Sequence, residues 1–155
     1  MTVLHLLRHG EHVLRGRVLA GRLDLPIEYR EDVLELDFGE WTGLTFDAVR
    51  TDERWRLWST CRSIACVPGG ESMRQVQERA VKALFELRQA HCDGTVVVVS
   101  HGDVIRAALL FALGMPLDFY SRIEVGLASI STIQIDDSGI RVLAVNERPR
   151  LAVST

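Results

Sequence analysis

Two short apolar runs end in the same dipeptide, and this repetition restricts the fold more than any other feature of the chain. Leu4-His5-Leu6-Leu7-Arg8-His9-Gly10 and Val96-Val97-Val98-Val99-Ser100-His101-Gly102 each carry strand-forming residues into a His-Gly turn. The four consecutive valines read as a strand buried on both faces. In an open α/β sheet, ligands bind in the crevice outside the carboxyl ends of the strands. Two such strands lying parallel and side by side would therefore turn His9 and His101 toward one crevice. Each glycine lets backbone approach a ligand closely. A helix is predicted behind His101, with Asp103 near its start, and the N–H groups of a helix N-terminus suit an anion. Arg8 adds a planar, permanent positive charge matched to phosphate oxygens. These groups describe a pocket for a tetrahedral anion.

Two other readings compete. A histidine at a strand end is often a satisfied polar residue, but two identical endings, one preceded by arginine, argue against that. The two imidazoles could instead hold zinc, which needs three or four ligands, with His5, His12, Glu11 or the cysteines as further candidates. Arg8 would repel such a cation. The sequence therefore favours anion chemistry, with no metal ligands and no cofactor.

The rest of the chain supplies a frame. Residues 11–34 are rich in Arg and Glu and broken by Pro26, and read mostly as loop. Thr45 can cap a helix starting at Phe46, followed by a broken helical stretch carrying Val49, Trp55, Leu57 and Trp58, whose tryptophans read as packing residues. Pro68-Gly69-Gly70 is a turn. Met73, Val76, Ala80, Leu84 and Leu87 then form the stripe of an amphipathic helix running from about Ser72 to before Gly94. Val104 to Leu113 reads as a helix closed by Gly114 and Pro116. Ser129–Ile135 and Ile140–Val145 form a hairpin about Asp136-Asp137-Ser138-Gly139, and the chain from Glu147 reads as frayed. The order predicts an α/β fold: a mostly parallel central sheet flanked by helices, with a C-terminal hairpin, in one domain spanning 1–155. A 47% hydrophobic, 25% charged composition over 155 residues fits one soluble domain. The net charge of −3, without a basic block, argues against nucleic-acid binding. No apolar run reaches membrane-span length, and the N-terminus enters a strand with no basic leader. Cys61, Cys66 and Cys92 form no C-x-x-C pair and read as reduced thiols, so a cytoplasmic location is expected.

Leu7-Arg8-His9-Gly10-Glu11 resembles the signature of the histidine phosphatase superfamily, the phosphoglycerate mutase-like family. Further stretches resemble that family in the same order: Gly21-Arg22-Leu23-Asp24-Leu25-Pro26, the acid-bearing segment Leu34–Gly43, Pro68-Gly69-Gly70-Glu71-Ser72, and Val98-Val99-Ser100-His101-Gly102 followed by Ile105-Arg106. The resemblance implies that His9 is the nucleophile and Glu35 the proton donor. It implies that Arg8, His101 and Gly102 bind phosphate, with Arg22 and Arg106 in lesser roles. It implies a metal-independent phosphomonoesterase of the phosphatase branch acting on a small phosphorylated metabolite, with mutase-type transfer as the alternative. Glu35 would work with a pKa raised by desolvation near Phe38 and Trp41. A homodimer is left open.

The resemblance departs at one place. The family carries a helix, a strand and a second helix between the Asp-x-Pro loop and the acid segment, ending in a motif resembling Ser-x-Leu-x-Arg-Ala that supplies a second phosphate-binding arginine. Here Leu25-Pro26-Ile27 is followed within a few residues by Leu34-Glu35. The sheet should then lack an interior or near-interior strand, leaving apolar surface open. The pocket should lack one cation unless Arg22, Arg30 or Arg106 replaces it. A pocket so depleted could also serve a non-catalytic phosphate-binding or interaction module.

Overall fold

The computed structural model describes residues 1–10 and 15–148. In chain order the elements are β1 (Thr2–Arg8), α1 (Arg15–Leu23), α2 (Phe46–Arg50), α3 (Glu53–Thr60), α4 (Met73–Ala90), β2 (Thr95–Ser100), α5 (Gly102–Ala112), β3 (Ile130–Asp136) and β4 (Gly139–Glu147). Short 3-10 turns occupy Glu31–Val33, Gly39–Trp41 and Leu117–Arg122. The sheet order is β2-β1-β3-β4. β1 pairs parallel with β2 and antiparallel with β3, and β3 pairs antiparallel with β4. The α/β architecture expected from the two His-Gly strands is present, and its sheet is mixed. The parallel character rests on one pair, because no strand follows α1 to extend the sheet beyond β2.

Local chemistry sets several boundaries. Ser72 caps α4 through a reciprocal box: its hydroxyl accepts from the Gln75 N–H, and Gln75 Oε1 accepts from the Ser72 N–H at 2.8 Å. Thr45 accepts from Ala48 N–H to start α2, and Asp52 accepts from Arg54 N–H to start α3. The α1 segment departs from its reading as loop. Glycines at 16 and 21 depress local helix propensity by about 1 kcal/mol each. Tertiary docking overrides that, since Leu19 and Leu23, one turn apart, sit over the sheet residues His5, Leu7 and Val97.

The core lies on one face of the sheet. Leu4, Leu6, Val98, Ile133 and Ile135 bury against α4 residues such as Val76, Ala80 and Leu84 and α5 residues such as Ile105 and Leu109. The opposite face is thinly covered. His5, Leu7, Val97, Ile130 and Thr132 line a cavity of about 290 Å³ beneath Leu19 and Leu23. Val97 is 37% exposed, so β2 is not the doubly buried strand that its four valines imply. The physical reason is its place at the sheet edge, with only α1 near its second face. The reading of a frayed end beyond Arg148 lies outside the described residues.

Two glycine-bearing loops are locked together. A Cβ on Gly39, whose φ is +43°, would lie 2.3 Å from the Pro68 carbonyl oxygen. One on Gly70 would lie 2.3 Å from the Asp37 carbonyl oxygen. The Pro68-Gly69-Gly70 turn and the Phe38-Gly39 segment therefore need each other's missing side chains.

Candidate functional site

Strand register brings the two histidines together. Arg8 pairs with Ser100 at the carboxyl ends of β1 and β2, and His9 N–H donates to the Ser100 carbonyl at 3.0 Å. The next residue on each strand is a histidine, and the rings meet with centroids 4.5 Å apart and planes inclined at 71°. His9 Nε2 lies 2.9 Å from His101 Nδ1. His9 Nδ1 lies 2.7 Å from the Gly10 carbonyl oxygen. A carbonyl only accepts, so the His9 proton sits on Nδ1 and Nε2 keeps its lone pair. His101 Nδ1 must then be the donor toward His9.

Arg8 and α5 complete the pocket's electropositive wall. The Arg8 guanidinium donates through Nη1 to the Val125 carbonyl at 2.5 Å, while its buried Nε has no partner. Gly102 opens α5 directly after His101, whose side chain makes no capping bond there. A Cβ on Gly102 would lie 3.2 Å from Arg8 Cζ and Nε, so glycine is what lets the guanidinium lie against the helix start. First-turn amides and a guanidinium side by side suit an anion.

Glu35 reaches this pocket by a tertiary strap that sequence reasoning missed. Ser100 Oγ donates to the Val33 carbonyl at 2.7 Å, tying the acid segment to the end of β2. From α4, Arg79 donates to the carbonyls of Asp32, Leu34 and Glu35 at 3.1, 2.8 and 3.2 Å. Arg79 also pairs with Glu71 through two bonds of 2.9 Å, and Glu71 accepts from Asp37 N–H at 3.0 Å. The available signal was modest: Arg79 follows Val76 by three residues, beside the apolar stripe of α4. So held, Glu35 Oε2 stands 3.4 Å from His101 Nδ1, and its Oε1 accepts from Leu36 N–H at 2.9 Å. Burial raises the Glu35 pKa, but the bonds from His101 and Leu36 N–H and the nearby imidazoles outweigh it. The net shift is downward from 4.5, opposite to the elevation expected from desolvation.

The substitute arginines do not enter the pocket. Arg30 is tied to Asp32 at 2.6 Å and Glu86 at 2.5 Å. Arg106 donates to the Ile123 carbonyl at 2.9 Å and to the Tyr120 hydroxyl at 2.8 Å. Arg22 lies exposed in the last turn of α1. Trp58 is buried, and Trp41 stacks edge-on with both Trp55 and Trp58, in agreement with a packing role. Among the metal candidates, His5 Nδ1 lies 3.0 Å from Thr132 Oγ1, and His12 and Glu11 lie outside the described residues. Among the described residues, no cluster of three His, Cys, Asp or Glu side chains could hold a metal ion.

Paired imidazoles at adjacent strand ends, an arginine against a helix start and a carboxylate beside the second ring define a class: an α/β protein with a phosphoryl-transfer type of site. The model of the histidine phosphatase superfamily (branch 1) matches residues 15–148, which take in Glu35 and His101. The chain belongs to the histidine phosphatase superfamily. It is 30% identical over 130 residues to phosphoserine phosphatase 1 of Hydrogenobacter thermophilus, covering 83% of this chain and 62% of that protein. It is 35% identical over 112 residues to an acid phosphatase of Mycobacterium tuberculosis, covering 72% of this chain and 52% of the other. A bifunctional protein of the same organism is 36% identical over 138 residues, 87% of this chain and 36% of that protein. The chain thus spans from about a third to about three-fifths of the length of these relatives. Its fold is that of the Bacillus stearothermophilus YhfR structure, with a TM-score of 0.88 at 20% identity, covering 96% of this chain and 98% of that one. No helix of the described residues is long and apolar enough to cross a membrane.

Proposed function

We propose that this chain is a metal-independent phosphomonoesterase that works through a phosphohistidine on His9. The observation that carries this reading is the Gly10 carbonyl 2.7 Å from His9 Nδ1, which leaves the Nε2 lone pair directed into the pocket. In the first half-reaction Nε2 attacks phosphorus and the bond from phosphorus to the ester oxygen breaks. Glu35 gives its proton to the departing alkoxide, which leaves as an alcohol. In the second half-reaction Glu35 takes a proton from water, the water oxygen attacks phosphorus, and the P–N bond breaks. Inorganic phosphate leaves, and His9 and the Glu35 acid are restored. Arg8, His101 and the amides at Gly102 hold the charge on the phosphoryl oxygens.

The lowered pKa of Glu35 in the ligand-free pocket is compatible with an acid role. A phosphate dianion entering beside it is a like charge, and like charges disfavour the carboxylate form. Substrate binding therefore raises the Glu35 pKa toward the value a proton donor needs. The relatives named phosphoserine phosphatase and acid phosphatase support hydrolysis of a small phosphomonoester, in the cytoplasm and without a nucleic-acid or membrane partner.

A p-nitrophenyl phosphate assay at mildly acidic pH, with EDTA present, tests this. Turnover is expected, with loss of at least about 1,000-fold in His9→Ala, since a covalent nucleophile has no substitute. Turnover that survives His9→Ala would defeat the phosphohistidine route. A second reading, a phosphate-binding module without turnover, is favoured by one observation: Arg8 is the one arginine the structure brings beside the paired histidines. Binding of inorganic phosphate with no hydrolysis of any phosphomonoester would select it.

A further inference from the structure

Arg62 stands outside the machinery described so far, and its surroundings are unusual. It follows α3 and is 9% exposed. Its guanidinium carbon lies 4.3 Å from the centre of the Trp58 ring and 4.1 Å from that of Tyr120, so aromatic rings close over the charge. Nε and Nη1 are buried and have no hydrogen-bond partner. Buried donors are nearly always satisfied, and an exception calls for a reason. Burial lowers the Arg62 pKa to about 10, so the side chain remains a cation at neutral pH.

The position of this cation relates it to the phosphate pocket. Tyr120 donates a short hydrogen bond to Asp103, the second residue of α5, and accepts one from Arg106. Asp103 lies within electrostatic reach of Glu35 and Arg8 as well as of Arg62 and Arg106. The charges that Arg62 itself feels are Asp103 and Arg106. Arg62 thus adjoins the catalytic groups without joining them, at the distance of a substrate's far end. The segment is also fixed: Ser63 donates from its N–H and its hydroxyl to Asp118 at 2.8 and 2.7 Å, and Arg74 holds the Ser63 carbonyl at 3.0 Å. A positioned cation loses less entropy when an anion binds.

We propose that Arg62 is a specificity-determining residue, whose guanidinium receives a carboxylate carried by the leaving group of the phosphomonoester. Rings cover the guanidinium, which leaves approach in its own plane, the plane in which a flat carboxylate pairs with arginine. Nη2 is the guanidinium nitrogen not enclosed without a partner, and is the point of first contact. The substrate class is then a phosphomonoester of a hydroxy acid. This rests on the phosphatase reading of the same pocket.

The test uses 3-phosphoglycerate and glycerol 3-phosphate, which differ at the far end by carboxylate against hydroxymethyl. Dissociation constants are measured by calorimetry in the His9→Ala protein, which cannot consume either compound by the proposed route. KM and kcat are measured in the protein with His9 intact. The acid is expected to bind about 10-fold tighter than the alcohol, and Arg62→Gln to bring that ratio near one. The kcat for p-nitrophenyl phosphate should stay within about two-fold of the parent, with the effect on the acid substrate confined to KM. Arg62→Lys keeps the charge and should recover part of the preference, whereas Arg62→Met, which keeps the apolar stem between the rings, should not. Equal affinity for acid and alcohol in the parent would overturn the proposal. So would a preference unmoved by all three substitutions, or an equal loss of binding for both ligands. If the enzyme reading fails and nothing is hydrolysed, the calorimetric ratio still decides the role of Arg62.

Discussion

At the level of single residues, the pocket depends on an atom that is missing. Gly102 has no Cβ, and the Arg8 guanidinium fills that space at 3.2 Å from where one would stand. Gly102→Ala leaves the helix-compatible backbone intact but pushes Arg8 aside by a few tenths of an ångström. A clamp so displaced should lower kcat/KM about 10-fold, with a melting midpoint within about 3 °C of the parent. Steady-state kinetics beside thermal unfolding separates these two effects. Glu35 supports a pH prediction. Its folded pKa is held below 4.5 by the bonds from His101 and Leu36 N–H. A lowered folded pKa means that Glu35 stabilises the fold above 4.5, and that this contribution fades as the pH falls through the lower, folded value. Glu35→Gln should therefore reduce the midpoint at pH 6, and the gap to the parent should close as the pH falls below 4.5. A gap that widens on acidification would contradict the pairing with His101.

At the level of elements, Arg79 on α4 spans four features by its bonds to Glu71 and to the carbonyls of Asp32, Leu34 and Glu35. Arg79→Met keeps the stem and removes the strap. Removing several such bonds near the acid should lower kcat about 10- to 100-fold, because a carboxylate misplaced by about 1 Å costs that much. Far-UV circular dichroism should show α4 intact, since its capping box and its buried stripe of Val76, Ala80, Leu84 and Leu87 remain. The same elements mark what was legible in the sequence. The Ser72 cap, the β3–β4 hairpin and the two His-Gly strand ends could be read because each is specified within about ten residues. The α1 helix could not, because its glycines speak against it locally and Leu19 and Leu23 are rewarded only by a sheet face assembled from distant chain. Glu35 was reached through family resemblance, whereas the strap that places it joins residues up to 47 positions apart. Its pKa direction was misjudged for the same reason: desolvation can be guessed from Phe38 and Trp41, but the bond from His101 exists only after folding. Arg62 carried no local signal at all.

For the molecule as a whole, the short connection between Ile27 and Leu34 leaves a four-stranded sheet with β2 at its edge and a core weighted to one face. Val97 and Val98 are neighbours of identical chemistry on opposite faces, 37% and 8% exposed. In a sheet covered equally on both sides, truncating either would cost the same. Here Val98→Ala deletes two methyl groups from the cluster containing Leu6, Ile105 and Leu109, and should cost about 2–3 kcal/mol, transfer and cavity together. Val97→Ala borders the open cavity beneath α1, where water and relaxation soften the loss, and should cost less than about 1 kcal/mol. Urea unfolding of the two variants at one pH measures the contrast, with unchanged m-values as the check that compactness is preserved. Equal losses would mean that something covers the second face in solution. A concentration-dependent midpoint in Val98→Ala and the parent, absent in a variant with a charge at position 97, would identify that cover as another copy of the chain, since association stabilises by mass action. The unequal cost is the outcome that the one-sided core requires.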